Sequence, residues 1–346
     1  MRITDALGID LPIIQAPMAG VQGSALAIAV CETGGLGSLP CAMLSSDTMR
    51  RELAAIRSHT RRPFNVNLFC HARPVADPVR EALWRKQLAP YYKEFGIDVQ
   101  ADHAGPARNP FDEEAAAVLA EFRPPVVSFH FGLPSPALLA RVKAWGAKVM
   151  SSATTVAEAI WLEANGADVI IAQGLEAGGH RGMFLSKDLS EQMGTFALLP
   201  QVVRAVRVPV IAAGAIASAD AVTAALALGA AGVQVGTAYL LCPEADTSGA
   251  HRAALRGARA THTVLTNLFS GGVARGIPNR LIDDLGPLSA AAPAFPLAAN
   301  ALTPLRRAAE SAGTGAGDFS PLWAGQNVTG CREIGAAELT RELMPR

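Results

Sequence analysis

The chain has 346 residues, half of them hydrophobic, and 30 Lys and Arg balance 30 Asp and Glu. Zero net charge without a basic run excludes a general nucleic-acid binder, which needs a basic face to meet phosphates. The length suits one large α/β domain with an insertion, or two domains, and the five cysteines are scattered with neither a C-x-x-C pair nor His/Cys zinc spacing, a pattern of reduced thiols in a cytosol.

The opening MRITDALGID carries two aspartates where an export signal needs an apolar core, so a cytoplasmic location is expected. Eight short apolar runs then follow in order: IIQAPM (13–18), GLGSLP (35–40), FNVNLF (64–69), VVSFHF (126–131), KVMSSA (148–153), DVIIAQG (168–174), PVIAAG (209–214) and GVQVGTAYL (232–240). Most have strand length and turn residues at their ends, and continuous apolar runs suit strands buried on both faces of a parallel sheet. Helix-like segments lie between them. In TVAEAIWLEANG (155–166), Thr155 and Glu158 form a capping box, Val156, Ala159 and Ile160 share a face, and Gly166 is placed to end the helix. Residues 218–229 repeat that pattern. Residues 221–242 are uncharged and long enough to span a bilayer, but Gly229, Gly232 and Gly236 punctuate them, so a buried helix followed by a buried strand is expected, with no membrane partner.

Eight strands alternating with helices predict a (β/α)8 TIM barrel, an α/β fold, and the runner-up is a doubly wound open sheet, which lacks a G-x-G-x-x-G opening its first helix. Two segments break the rhythm. Residues 90–112 are a polar excursion between the third and fourth runs. Residues 243–320 follow the eighth and include SGGVARGIPNR and an Ala/Pro-rich stretch. Long connections of this kind serve as lids or binding loops. The expected organisation is a barrel of 1–240 and 319–346, with 241–318 inserted as a cap after strand eight.

In such a barrel the site lies at the C-terminal ends of the strands. Those ends carry Ala16-Pro17-Met18, Gly37-Ser38, Asn65-Val66-Asn67, His130, Ser152-Ala153, Gln173-Gly174, Gly214 and Gln234-Val235-Gly236-Thr237. Small and amide residues without a carboxylate cluster disfavour a metal centre and a two-carboxylate glycosidase, and suit a large, flat, hydrogen-bonding ligand. Glycines after strands seven and eight stand where barrels bind phosphate through backbone N–H groups. The densest stretch is AQGLEAGGHRG (172–182), where glycines beside His180 permit a sharp turn or a close approach to a ligand.

Taken together, PIIQAPMAGV, GGLGSL, PFNVNLFCH, SFHFGLP, SSATTVAEA, AQGLEAGGHRG, GVQVGTAYLLCPE, ARGIPNR and the late WAGQ resemble the nitronate monooxygenases, formerly called 2-nitropropane dioxygenases, and most closely the class I branch. The resemblance runs over nearly the whole chain. It implies an FMN-dependent barrel with a cap that oxidises alkyl nitronates, notably propionate 3-nitronate, with O2 to carbonyl compounds and nitrogen oxides. It places Met18 and Asn67 beside the flavin. Gln173, Gly178 and Gly179 come from the strand-six loop, with the Gln173 amide reaching the ring edge. Gly214, Ala215, Gln234, Val235, Gly236 and Thr237 hold the ribityl phosphate. His180 is the implied catalytic histidine and His130 a second one facing substrate.

The resemblance also implies tyrosines where this chain has His251, Phe295 and Ala299, and a lysine where it has Thr303, which makes the substrate pocket roomier and more apolar. Two alternatives remain open: a related FMN barrel that takes electrons from NAD(P)H, as enoyl-ACP or quinone reductases do, and a flavin-binding protein without catalysis. The expected partners are a small nitronate or nitroalkane and O2, with no nucleic acid and no metal.

Overall fold

A computed structural model describes residues 2–98, 108–313, 315 and 317–344. Its strands, in chain order, are β1 Ile13–Gln15, β2 Gly37–Pro40, β3 Phe64–Phe69, β4 Val126–His130, β5 Lys148–Ala153, β6 Val169–Gln173, β7 Gly179–His180, β8 Val210–Ala213, β9 Gly232–Val235, β10 Val264–Thr266 and β11 Ala274–Gly276. The eight anticipated runs form one parallel sheet in the order β1-β9-β8-β6-β5-β4-β3-β2. It closes between its ends, where Leu36 N–H donates to Ile13 O and Gln15 N–H to Leu36 O, both at 2.9 Å. The fold is therefore the expected barrel. Two runs stop early. Residues 16–18 have left β1, and residues 237–241 turn into a short 3-10 helix, because the chain there has reached the barrel mouth.

Alternation along each strand divides the core into two shells. Ile170 faces outward and packs with Leu162, Leu198 and Val202 of the surrounding helices. Its neighbour Ile171 faces inward with Ile14, Met150 and Ile211, and Ile3 and Leu7 of the N-terminal helix Ile3–Leu7 close that layer from below. Each such burial is worth about 1.5–3 kcal/mol. Higher in the barrel the interior turns polar. Asn65 Nδ2 donates to Ser38 Oγ and Ser128 Oγ, Asn67 Nδ2 donates to Ser128 Oγ at 2.9 Å, and Ser38 Oγ donates to Gln15 O. The uncharged run 221–242 resolves into the helix Ala219–Ala227, β9 and the 3-10 turn. Among the described residues no helix is long and apolar enough to cross a membrane.

The segment after β9 builds β10, β11 and the helices Arg280–Leu285 and Ala298–Ala312. It shares an apolar core with the helix Pro78–Glu94, which enters from the connection after β3: Trp84, Leu88 and Tyr92 pack with Phe269, Leu302 and Leu305. Trp84 Nε1 donates to Ala298 O, and the Tyr92 hydroxyl to Ala301 O. The cap is thus assembled from two stretches of chain, not from 241–318 alone. Of the polar excursion 90–112, residues 90–94 finish the helix Pro78–Glu94 and 99–107 lie outside the described residues. A second, three-stranded sheet, β10-β11-β7, joins cap to barrel: β7 pairs antiparallel with β11, setting His180 opposite Ala274.

The barrel wall tolerates no bulk at Gly37 in β2. A Cβ there would lie 2.0 Å from the Ala27 carbonyl oxygen of the helix Ser24–Glu32. Gly37→Ala is expected to cost about 2–3 kcal/mol by forcing helix from strand, measured as a drop in the midpoint of urea unfolding.

Candidate active site

The mouth of the barrel opens into a cavity roofed by the cap. Ala16, Pro17 and Met18 line it from the end of β1, Asn67 and Phe69 from β3, His130 from β4, and Gln173 from β6. Gly178, Gly179 and His180 of the loop after β6, Gly214 and Ala215 after β8, and Gln234, Gly236 and Thr237 around the end of β9 complete the barrel side. Twelve of the thirteen residues singled out from the sequence therefore meet around one space. Val235 does not. Alternation along β9 turns its side chain away from that of Gln234 and into the outer apolar shell, where it is 1% exposed.

The loop carrying His180 is held mostly by its own polar atoms. Gln173 Nε2 donates to the His180 carbonyl at 2.9 Å, and Gln173 Oε1 accepts from Gly182 N–H at 2.8 Å. Gln173 thus clamps the loop through both ends of its amide while lining the cavity, and these two bonds leave one Nε2 hydrogen uncommitted. Arg181 is buried, and its guanidinium donates to the carbonyls of Gly174 and Gln173 and to Gln192 Oε1. Glu158, expected to complete a capping box with Thr155, reaches further. Its carboxylate accepts from Thr154 N–H at 2.7 Å and from Phe184 N–H at 2.7 Å, which pins the far end of the same loop. Glu176 accepts from Thr195 N–H and Thr195 Oγ1, supplying the N-terminal cap of the helix Thr195–Ala205. Gly178 is required by proximity: a Cβ on it would lie 2.5 Å from Gly325 N.

His130 Nε2 lies 3.1 Å from the His180 carbonyl and Nδ1 lies 3.1 Å from Ser152 Oγ. A carbonyl only accepts, so Nε2 carries the proton and Nδ1 accepts from the serine hydroxyl. Burial, with a smaller push from Arg181, lowers the pKa of His130 to about 4. With both nitrogens used and the ring neutral, His130 holds the His180 backbone and has no free nitrogen to offer a substrate. The second histidine of the sequence reading is a positioning residue here.

The His180 imidazole is presented differently. Its Nε2 pairs with Ser270 Oγ at 2.8 Å. The Ser270 hydroxyl also sits 3.3 Å from the Gly272 carbonyl, to which it can donate. Donating there, it receives the His180 Nε2–H and leaves Nδ1 as a lone-pair acceptor. Among the described residues nothing engages Nδ1. The rings of Phe295 and Trp323 stand at 5.1 and 5.5 Å. Burial, then the charges of Arg108, His130 and His71, hold the pKa of His180 well below the ordinary histidine value, so the imidazole is neutral at physiological pH. Ser270 escaped the sequence reading as an individual residue, although the SGGVARGIPNR motif that contains it did not.

Two side chains at the mouth sit in left-handed backbone. Ala215 has φ 58° directly after Gly214 at φ 128°, and Phe131 has φ 67° after β4. The positive φ values at Gly214 and Ala215 make a sharp turn after β8, at the barrel end where backbone N–H groups commonly cradle a phosphate. Asn327 Nδ2 donates to the Ala215 carbonyl at 3.1 Å and holds the turn. Thr237 Oγ1 accepts from Gly325 N–H at 2.9 Å. Three buried polar atoms on the cavity wall have no partner, Gln234 Oε1, His251 Nε2 and Arg108 Nη1. An amide oxygen left bare beside such a backbone cradle fits a ligand that carries ring N–H or hydroxyl donors and a phosphate, as FMN does. Arg275 and Arg280 are occupied elsewhere: Arg275 donates to the carbonyls of Leu175 and Thr263, and Arg280 is paired with Glu94.

The sequence model of the nitronate monooxygenase family, described as "Nitronate monooxygenase", matches residues 1–346. A nitronate monooxygenase of Pseudomonas aeruginosa is 43% identical, covering 99% of this chain and 98% of that one. One of Paraburkholderia phytofirmans is 42% identical over 97% of this chain and 92% of its own. Among solved structures, the nitroalkane oxidase of Streptomyces ansochromogenes superposes with a TM-score of 0.89 at 39% identity, covering 99% of this chain and 96% of that one. FabK of Thermotoga maritima superposes with a TM-score of 0.70 at 27% identity, over 99% and 94%.

The cradle and the orphaned histidine each make a stability prediction. An alanine at positive φ costs about 1–2 kcal/mol, part of which a glycine gives back through its freer unfolded chain. Ala215→Gly is therefore expected to stabilise the protein by about 1 kcal/mol in urea unfolding. Burial lowers the pKa of His251 to about 4, against about 6.5 in an unfolded chain. The unfolded state then binds the proton first, and stability falls as pH drops from about 6.5 toward 4. Between pH 7 and pH 5 this one group should remove about 2 kcal/mol, and His251→Phe should flatten the pH dependence of the unfolding midpoint by that amount.

Proposed function

The chain belongs to the nitronate monooxygenase family, an oxidoreductase family of nitronates and nitroalkanes, and from that membership we propose that it uses FMN and O2 to convert alkyl nitronates to carbonyl compounds and nitrogen oxides. The observation that carries this reading is the imidazole of His180, tethered by Ser270 at a cavity that the Gly214–Ala215 turn also lines. When bound, FMN would supply the electron-accepting chemistry that links oxidation of the substrate to O2. Its phosphate would rest on the Gly214–Ala215 backbone near Gly236 and Thr237. Gln234 Oε1 would accept from a flavin or ribityl donor, and Met18, Asn67, Gly178 and Gly179 would flank the ring.

The chain's own residues account for proton handling and placement. A nitroalkane must lose a carbon-bound proton before its electrons can leave, and a neutral base with a free lone pair, His180 Nδ1, is suited to take it. A nitronate has already lost that proton, and for it the other tautomer serves, with Nε2 accepting from the Ser270 hydroxyl and Nδ1–H donating to a nitro oxygen. Phe69, Phe295 and Trp323 around the imidazole exclude water and strengthen either interaction. The five free cysteines support a reducing, cytosolic setting.

The test combines the cofactor, the electron donor and the base. Heat should release FMN from the purified protein, and anaerobic ethyl nitronate should bleach its absorbance while NADH does not. Fast bleaching by NADH would favour the reductase alternative. His180→Asn should lower kcat/KM on neutral nitroalkanes by about 10²–10⁴-fold, with a smaller loss on nitronates and unchanged flavin content. Equal losses on both substrate forms would make His180 a positioning group, and loss of flavin would make it structural. Because the imidazole is already neutral, kcat/KM of the wild type on nitroalkanes should show no histidine inflection between pH 6 and 8.

A further inference from the structure

The titratable group that the reaction above leaves unused is Arg108. It lines the cavity that contains His180 and also lines a second cavity of about 320 Å3 beneath the cap, and Met43 likewise belongs to both walls. Its Nη1 is buried and has no hydrogen-bond partner. A guanidinium in that condition is costly, because a charged donor withdrawn from water without an acceptor loses its solvation. No carboxylate among the described residues pairs with it. The ionic neighbour that acts on it is another cation, Arg306, and burial together with that repulsion lowers its pKa to about 10, which leaves it charged at neutral pH.

The second cavity has two kinds of wall. Phe269, Leu302 and Phe319 make it apolar. Ala299 and Thr303 leave room on the helix Ala298–Ala312, and the Thr303 hydroxyl is spent on the Ala299 carbonyl at 2.8 Å. Its charges are Arg108, Arg306, Arg307 and Glu310. Glu310 is already held by Arg306 Nε at 2.8 Å and by Ser320 Oγ at 2.9 Å, so the cavity keeps an excess of positive charge.

We propose that this second cavity is a tail subsite for the substrate, with Arg108 as a specificity-determining residue that binds a carboxylate at the end of an aliphatic chain. The nitronate end lies by His180, the methylene chain passes Met43 along the apolar wall, and the terminal carboxylate meets the guanidinium fork of Arg108, whose planar geometry matches two carboxylate oxygens. On this proposal, chains longer than three carbons would extend from the first cavity into the space beneath the cap. The proposal rests on the nitronate reading for the identity of the reacting end, but not for the anion or the chain.

The experiment compares two matched series of primary nitronates on the wild-type holoprotein, three to eight carbons long, one ending in methyl and the other in carboxylate. The carboxylate series should have the higher kcat/KM, by about 10–100-fold as one charge-assisted hydrogen-bond pair provides, with its optimum above three carbons. Equal rates for the two series, or an optimum at three carbons, overturns the subsite. Arg108→Met should erase the gap between the series and Arg108→Lys should restore part of it. A second arm needs no turnover: calorimetric titration of the holoprotein with hexanoate, which should bind about 10–100-fold more weakly to Arg108→Met. If no nitronate is oxidised but hexanoate binding depends on Arg108, the reaction assignment fails and the subsite stands. Hexanoate affinity indifferent to Arg108, or inorganic phosphate bound as tightly as hexanoate, overturns it.

Discussion

Two hydrogen bonds converge on the His180 carbonyl, one donated by Gln173 Nε2 at 2.9 Å and one by His130 Nε2 at 3.1 Å. Each donor is itself rooted in a barrel strand, β6 or β4, so the loop inherits the rigidity of the sheet. Arg181 adds a third anchor by gripping the carbonyls where the loop leaves β6, and Glu158 fixes Phe184 on the other side. Fixing the backbone in this way leaves one imidazole free to face the cavity. A site built on a glycine-rich loop would otherwise lose its reactive geometry to backbone entropy.

The same region concentrates its conformational cost. Ala215 and Phe131 adopt left-handed backbone that their side chains disfavour, and Gln234 Oε1 and His251 Nε2 are buried without partners. Strain and unsatisfied polarity of this kind cluster where a structure is organised around something other than its own stability. Elsewhere the barrel obeys the ordinary rules: apolar shells, helix caps at Ser45, Asp77, Thr155 and Ser218, and strands whose inner and outer faces alternate.

The barrel was legible because eight buried strands leave eight apolar runs, and because turn residues bound them. The strand ends were legible for the same reason, and they carried Met18, Asn67, His130, Gln173 and Gln234 to one place. Roles within that place were less accessible. Nothing in the spacing shows that the Gln173 amide clamps its own loop, or that His130 spends both nitrogens on Ser152 and the His180 carbonyl. Those facts depend on contacts 7 and 22 to 50 residues apart along the chain. Alternation along β9 turns the Val235 side chain into the outer core while its neighbour Gln234 lines the cavity, a division that the motif read as a block does not show. Ser270 and Arg108 come from connections whose path a sequence cannot trace. The helix Pro78–Glu94 joined the cap through side chains more than 200 residues distant.

The pairing of β7 with β11 has a consequence for how such proteins diversify. His180 is a residue of the barrel, yet it forms a strand with the cap, and the hydroxyl that orients its ring lies in the same cap segment. The cap is therefore not an exchangeable module. A chimera that grafted another cap onto this barrel would import a new edge strand and a new hydroxyl position, and would reset the His180 imidazole together with the cavity walls. Cavity shape and imidazole geometry must be inherited together, which ties drift in the cap to compensating change in the loop after β6.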